Sequence, residues 1–307
     1  MTLKKLELCC METKVKKTSI LLIVSTLVVV GSGALLGLIL GRKFFAQDLS
    51  NWNVEVDEKD DELYEKFIKL NNSKVNSAKY LSEFRPYQLV KIGLMNFDKA
   101  SNAQITTTGT VNASIANQTI NSKYIKTNNS YFSESLSSGL MKIGWRFYQT
   151  DDEIKVYKSS KLKNTESAEW ISEVKETYNS DTFKETWGKS MKIPFIYTLN
   201  YLTIDKESSK IENENIIVNL SLKPDLSTIN YGKQMKKTSD LSDVPTFSLV
   251  NLKLTLSSNL TILKNDIYEE YGVPYGFTVQ TKGTITENYT YLENISIPSL
   301  SEDVEYK

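Results

Sequence analysis

The chain has 307 residues, of which 37 are basic and 37 acidic, and it contains no histidine. The lack of imidazole excludes Ser-His-Asp and Cys-His catalytic systems and histidine-containing zinc and iron sites. Residues 1–43 hold seven basic and two acidic residues, so the remaining 264 residues carry a net charge of −5, which argues against nucleic acid as the partner. The length fits two ordinary domains or one large β domain with additions.

An uncharged segment of 23 residues, 18–40, lies near the N-terminus. As a helix it spans about 34 Å, enough to cross a hydrocarbon core of roughly 30 Å. The segment stays apolar beyond the small residues 32–34, where a signal peptide would be cut, so we predict an uncleaved transmembrane helix. Five lysines precede it and three basic residues lie in the 20 that follow. The positive-inside rule therefore predicts a single-pass cell-membrane protein with a cytoplasmic N-terminus and an extracellular C-terminal domain.

Three glycines, Gly33, Gly37 and Gly41, recur every four residues along this segment. On a helix they form one stripe where a second helix could pack closely, which suggests a homodimer seam, although glycine is common in membrane spans. Cys9 and Cys10 precede the segment, so they are either reduced or acylated on the cytoplasmic side. The outer part has no cysteine, which favours a bacterial surface protein, and the many Lys, Asn and Ile residues favour a low-GC, Gram-positive source.

We predict four regions: a basic cytoplasmic tail (1–17), the transmembrane helix (18–40), a juxtamembrane linker with helices (41–100) and an extracytoplasmic antiparallel β domain with helical insertions (101–307). In the linker, an acidic run at 57–62 precedes apolar residues at helical spacing, namely Leu63, Tyr64, Phe67, Ile68 and Leu70. This pattern predicts an amphipathic helix with acidic residues in its first turn, since the run lacks the glycine and spacing of a calcium loop. A second helix is predicted from Pro86 to about Lys99.

After Ser101 the apolar period changes to two, which predicts strands. A meander is expected at 105–115, 118–126, 129–136, 141–149 and 154–159. Further along we expect helices at 165–178, about 183–187 and 224–237, and strands at 195–204, 216–222, 247–256, 260–271 and 277–291. No repeat or linker separates the two groups of strands, so the prediction is an α+β fold with one large antiparallel sheet and helices packed on one face.

Four short motifs lie on the predicted meander, at 109–111 (GTV), 131–134 (YFSE), 146–148 (RFY) and 154–157 (IKVY). With the order of elements over about 85–295, they resemble the lipoprotein-carrier-like fold of the LolA and LppX kind. The resemblance implies a strongly curved, half-barrel-like sheet with helices on its concave side. It transfers no catalytic residue, because the family has none.

If the sheet is curved, large apolar residues on its concave face would suit an elongated apolar ligand such as a lipid tail. The candidate ligand-binding residues are Trp145, Phe147, Leu220, Leu226, Ile229, Leu254 and Phe277. The alternative is a core filled by the protein's own helices. We expect a mostly filled interior with a narrow opening near the helix at 224–237.

Nucleotide-binding and nucleophile motifs are absent outside the predicted span. The acidic run Asp151–Glu153 falls between two strands, where Asp is an ordinary turn residue. No catalytic residue, metal ligand or cofactor is therefore predicted. The function expected is that of a membrane-anchored, extracytoplasmic, non-catalytic binding domain of a bacterial cell envelope, for a lipid, lipoprotein or envelope polymer. The alternatives are a partner-docking or signalling ectodomain dimerised through the glycine stripe and, third, a carboxylate-dependent hydrolase.

Overall fold

The computed structural model describes residues 60–73, 77–113, 116–139, 142–159, 173–239, 241–274, 277–302 and 304. The predicted transmembrane helix, with Gly33, Gly37 and Gly41, lies outside these ranges. So do Cys9 and Cys10. Within the described ranges no helix has both the length and the apolar character needed to cross a membrane.

Three helices precede the sheet: α1 (Asp60–Asn72), α2 (Ser77–Glu83) and α3 (Pro86–Lys99). The first and third confirm the sequence prediction, and both begin as it indicates, with acidic residues in the first turn of α1 and a proline at the start of α3. The α3 helix is the most deeply buried, and Leu89, Val90, Ile92 and Phe97 are wholly inaccessible to solvent. Gly93 allows α3 to approach the sheet, since a Cβ there would lie 2.8 Å from a side-chain carbon of Ile262.

The described residues form one curved antiparallel sheet of eleven strands, in the order β6-β5-β4-β3-β2-β1-β11-β10-β9-β8-β7. The first strand pairs with the last, so the meander and the C-terminal strands become one continuous sheet, as predicted. The strands are β1 (Ala103–Ala113), β2 (Ala116–Lys126), β3 (Ser130–Ser138), β4 (Lys142–Thr150), β5 (Glu153–Lys158), β6 (Glu176–Tyr178), β7 (Ile204–Glu212), β8 (Asn215–Leu222), β9 (Thr246–Leu256), β10 (Ile262–Pro274) and β11 (Thr278–Tyr291).

Three local predictions are wrong. The helix expected at 165–178 is contradicted at its C-terminal end, where residues 176–178 form the short strand β6; residues 165–172 lie outside the described ranges. The strand expected at 195–204 is irregular up to residue 203, because this segment crosses the face of the sheet instead of pairing within it. The strand β7 was missed because its sequence, IDKESSKIE, is mostly polar, as suits an edge strand that pairs on one side only.

Three further helices follow the meander: α4 (Ser180–Trp187), α5 (Pro224–Ser227) and α6 (Ile229–Ser239). The first confirms the helix predicted around 183–187, and the side chain of Asn179 caps its N-terminus by accepting from the Thr182 amide at 2.8 Å. The single helix expected at 224–237 is divided into α5 and α6, with a break at Thr228.

The face of the sheet that carries the helices, here called the inner face, holds two apolar clusters. The larger cluster includes Leu89, Ile92 and Phe97 of α3 and Leu220 and Leu254 of β8 and β9. The smaller cluster joins β4, β5 and α4 and consists of Trp145, Phe147, Ile154, Val156, Phe183, Trp187 and Met191.

The opposite, outer face is covered along β3 and β4 by the C-terminal segment. Arg146 of β4 and Glu134 of β3 form an ion pair whose side chains are each only 1% exposed. The same guanidinium donates to the carbonyl oxygens of Leu300 at 2.6 Å and Glu302 at 2.7 Å. These contacts fasten the end of the chain to the sheet and leave the inner face to the helices.

A candidate ligand-binding chamber

The structure distributes the predicted ligand-binding residues over three places. Trp145 and Phe147 lie together in the smaller cluster, whereas Leu220 and Leu254 lie in the larger one. Leu226 of α5 and Ile229 of α6 are partly buried in the helices beside the sheet. Phe277, just before β11, is 59% exposed and belongs to neither cluster. The seven residues thus do not form one continuous lining.

A cavity of about 120 Å³, here called the chamber, lies on the inner face. The central strands line it with small polar residues: Thr107 of β1, Ser122 of β2, and Ser133 and Ser135 of β3. It is also lined by residues of α6 and of the irregular segment 188–203, here called the cover segment. The chamber lies beside α6, where the narrow opening was expected.

A buried carboxyl group holds both covering elements in place. Glu269 of β10 is 0% exposed and accepts hydrogen bonds from the hydroxyl groups of Tyr197 at 2.8 Å and Tyr231 at 3.1 Å. Tyr197 belongs to the cover segment and Tyr231 to α6. Burial raises the pKa of Glu269 to about 7. Gly283 makes room for this carboxyl group on the neighbouring strand, since a Cβ there would lie 2.9 Å from Cγ of Glu269.

A second carboxyl group, that of Glu287 on β11, lines the chamber itself. It accepts hydrogen bonds from Nδ2 of Asn265 at 2.9 Å and from the hydroxyl group of Tyr289 at 3.1 Å. Burial raises the pKa of Glu287, because the charged form loses contact with water.

The basic group of the chamber is Lys189, which follows the left-handed residue Gly188 at the end of α4. A Cβ at Gly188 would lie 2.3 Å from the carbonyl oxygen of Asn230, so glycine allows the chain to turn into the chamber here. The Lys189 ammonium group lies 3.8 Å from the centroid of the Phe147 ring. Among the described residues it has no carboxylate partner, and burial lowers its pKa to about 7.

One acceptor that lines the chamber is unsatisfied. Gln234 of α6 is 8% exposed, and its Oε1 atom has no hydrogen-bond partner among the described residues. A buried polar atom without a partner costs free energy, so such atoms commonly mark a water or ligand position. The chamber therefore offers an ammonium group, a carboxyl group, an open amide oxygen and several hydroxyl groups. No cluster of three metal-ligating side chains occurs within the described ranges.

These chamber residues were not singled out from the sequence. A signal was present for Glu269, because it occupies an inner position of β10 between the buried residues Ile267 and Tyr271. A charged residue in the apolar register of a strand indicates a buried polar site. Lys189 gave no such signal, because it lies in an irregular segment without periodicity.

A larger groove of about 630 Å³ crosses the outer face of β7 to β10. Its lining includes polar side chains of neighbouring strands, among them Lys206, Asn219, Asn251 and Lys253. Unlike the chamber it is shallow and open to solvent, and it is built by the ordinary polar face of the sheet.

No protein-family model and no curated protein matches the sequence. Similar solved structures include LprF from Mycobacterium bovis, with 8% identity over 71% of this chain and 97% of that chain and a TM-score of 0.34. A DUF1329 family protein from Desulfovibrio piger has 12% identity over 69% and 93% of the two chains and a TM-score of 0.26. These TM-scores are low, so the likeness bears on neither ligand nor activity. The curved antiparallel sheet with helices on one face itself resembles the lipoprotein-carrier-like fold, as expected from the sequence.

Proposed function

We propose that this protein is a membrane-anchored, non-catalytic binding domain of a bacterial cell envelope that holds an amphiphilic ligand at the chamber. The observation that carries the proposal is the chamber itself, a cavity on the inner face that combines polar side chains with the aliphatic side chains of Ile105, Ile196, Ile267 and Ile285. Its Gln234 oxygen is unsatisfied and its Lys189 ammonium group has no described carboxylate partner, so the site is suited to a ligand that supplies polar contacts.

The surroundings of the chamber favour an amphiphile over a purely polar solute. The Lys189 ammonium group lies over Phe147, which belongs to the smaller cluster together with Trp145 and Trp187. A ligand with its polar group in the chamber would place an apolar portion against the aliphatic side chains that line it, Ile105, Ile196, Ile267 and Ile285. Trp145, Phe147, Leu220 and Leu254 lie in the packed clusters beside this site, so their contact with a ligand stays a prediction.

The chamber has a volume of about 120 Å³, which is less than the roughly 300 Å³ of a typical ligand pocket. The cover segment and α6 must therefore move to admit the apolar portion of the ligand. Hydrogen bonds help to hold the cover in place. Tyr197 and Tyr231 donate to Glu269, and the hydroxyl group of Tyr124 donates to the carbonyl oxygen of Met191 at 2.6 Å. Such bonds are exchanged for bonds to water at a small net cost, so they do not by themselves prevent the cover segment and α6 from opening.

In this proposal the segment 18–40 anchors the protein in the membrane, and the binding domain lies outside the cell. A bilayer next to the domain would be a direct source of amphiphiles. Protease added to intact protoplasts should digest the C-terminal domain and leave a short protected N-terminal fragment. Protection of the whole chain would contradict this orientation.

The ligand is tested by mass spectrometry of lipids that remain bound to the full-length chain after extensive detergent exchange. Thr107→Phe would fill the chamber, whereas Thr108→Phe places the same ring on the exposed outer side of the same strand. We expect about one amphiphile per chain in the unmodified protein and in Thr108→Phe, and loss of it in Thr107→Phe. Thermal unfolding of both variants shows whether they are folded.

Equal, low lipid content in all three proteins would contradict the proposal. In that case the partner-docking or signalling ectodomain, dimerised through Gly33, Gly37 and Gly41, becomes the better account of the chain.

A further inference from the structure

Two opposite charges face the chamber without forming a pair. Lys189 and Glu287 both line it, yet no ion pair joins them within 4 Å among the described residues. Glu287 is instead held by Asn265 and Tyr289, and Lys189 lies over Phe147. Both side chains are partly buried, and neither has a described counter-charge within 4 Å.

We infer that the chamber is a headgroup site for a zwitterionic amphiphile, with its ammonium group at Glu287 and Gln234 and its anionic group at Lys189. The inference rests on the proposed function and adds the chemical class of the ligand. A ligand carrying both charges supplies each missing counter-charge at once, whereas an anionic ligand satisfies Lys189 but is repelled by Glu287.

The unsatisfied oxygen of Gln234 favours a primary ammonium group on the ligand over a trimethylammonium group. Its Oε1 atom is an acceptor, so it requires a group that carries hydrogen-bond donors. A primary ammonium group has three donors, whereas a trimethylammonium group has none and is bulkier. The hydroxyl groups of Ser122 and Ser133 line the same space and can donate to the anionic group beside Lys189. A phosphate joined to a primary amine, as in phosphatidylethanolamine, combines the required groups.

The other ionisable groups around the chamber are compatible with this ligand. Glu269 is occupied by Tyr197 and Tyr231 behind the chamber, and burial keeps the pKa of both tyrosines well above the ordinary value of 10.0. The tyrosines are therefore neutral at physiological pH and add no negative charge. Tyr124 is likewise neutral and is held by the cover segment.

The test loads the delipidated full-length chain from mixed micelles that contain equal amounts of dioleoyl phosphatidylethanolamine, phosphatidylcholine and phosphatidylglycerol. Bound lipids are counted by mass spectrometry. We expect phosphatidylethanolamine to exceed each of the others by about tenfold, as the loss of one charged hydrogen-bonded contact would give. Lys189→Met and Glu287→Gln should each abolish the preference. Lys192→Met, at an exposed position in the cover segment, and Glu270→Gln, on the outer face, should keep it.

Each result separates the headgroup site from the proposed function. Equal binding of the three lipids, or preference for phosphatidylglycerol, would overturn the zwitterion site and leave the amphiphile-binding function intact. Binding of none of them would overturn both, unless free phosphorylethanolamine offered alone binds and is lost in Lys189→Met. That last result would support the charge chemistry for a soluble ligand and overturn only the amphiphile.

Discussion

The two halves of the inner face are closed by different kinds of contact. Over β8 and β9 the α3 helix packs fully buried apolar side chains directly onto the strands, and Gly93 lets it approach closely. Over β1 to β3 the cover segment and α6 lie above small hydroxyl side chains and are tied down through Tyr124 and Glu269. The first half is closed by apolar packing alone, whereas the second combines apolar contacts of Tyr197, Tyr231 and Met235 with buried hydrogen bonds. We therefore place the proposed binding site in the second half.

The largest expected effect lies in the packed half. Leu254→Ala should lower the free energy of unfolding by about 2–5 kcal/mol, because Leu254 is fully buried among aliphatic side chains and leaves a cavity. Lys253→Ala, one residue earlier on the exposed outer face, should change it little. Denaturant unfolding of the full-length chain measures both. Similar small losses for the two variants would show that this half is not a packed core.

In the half closed by the cover segment and α6, the stability should depend on pH through Glu269. Its pKa is raised from 4.5 to about 7, so the folded state holds a proton that the unfolded chain releases between these values. The stability that Glu269 contributes is therefore complete below about pH 4.5 and is lost as the pH rises through about 7, by about 3 kcal/mol. Glu269→Gln cannot ionise, so its stability relative to the unmodified protein should increase over this range. Melting temperatures measured from pH 4 to 8 would contradict the assignment if the difference were constant.

How far the sequence predicts the structure depends on how regular each region is. The strands β8 and β9 are evident because their apolar residues alternate, as Leu252, Leu254 and Leu256 do, and this pattern arises wherever one face of a strand is buried. The strand β7 and the cover segment were mispredicted because an edge strand and an irregular segment impose no such pattern. Local pattern is therefore sufficient for the alternating inner strands and for the packed half, but not for the edge strands β6 and β7.

The chamber follows from the three-dimensional arrangement and not from local pattern. Lys189 comes from the end of α4, Gln234 from α6 and Glu287 from β11, and only the folding of the helices over the sheet brings them to one cavity. The aromatic candidates Trp145 and Phe147 could be named from the sequence because they alternate on β4, and their contact with a ligand stays a prediction. The polar residues Lys189, Gln234 and Glu287 that line the chamber could not be named from the sequence. Only Glu269, which lies behind the chamber, could be noticed as a charged residue in the apolar register of a strand.

The accessibility of Lys189 tests the central claim most directly. In the delipidated full-length protein no lipid covers the chamber, so an amine-reactive reagent should label Lys189, whose side chain is only partly buried, as well as the exposed Lys192. Loading with phosphatidylethanolamine should protect Lys189 and leave Lys192 unchanged, as read by mass spectrometry of the labelled peptides. Labelling of Lys189 that is the same with and without bound lipid would show that the amphiphile does not occupy the chamber.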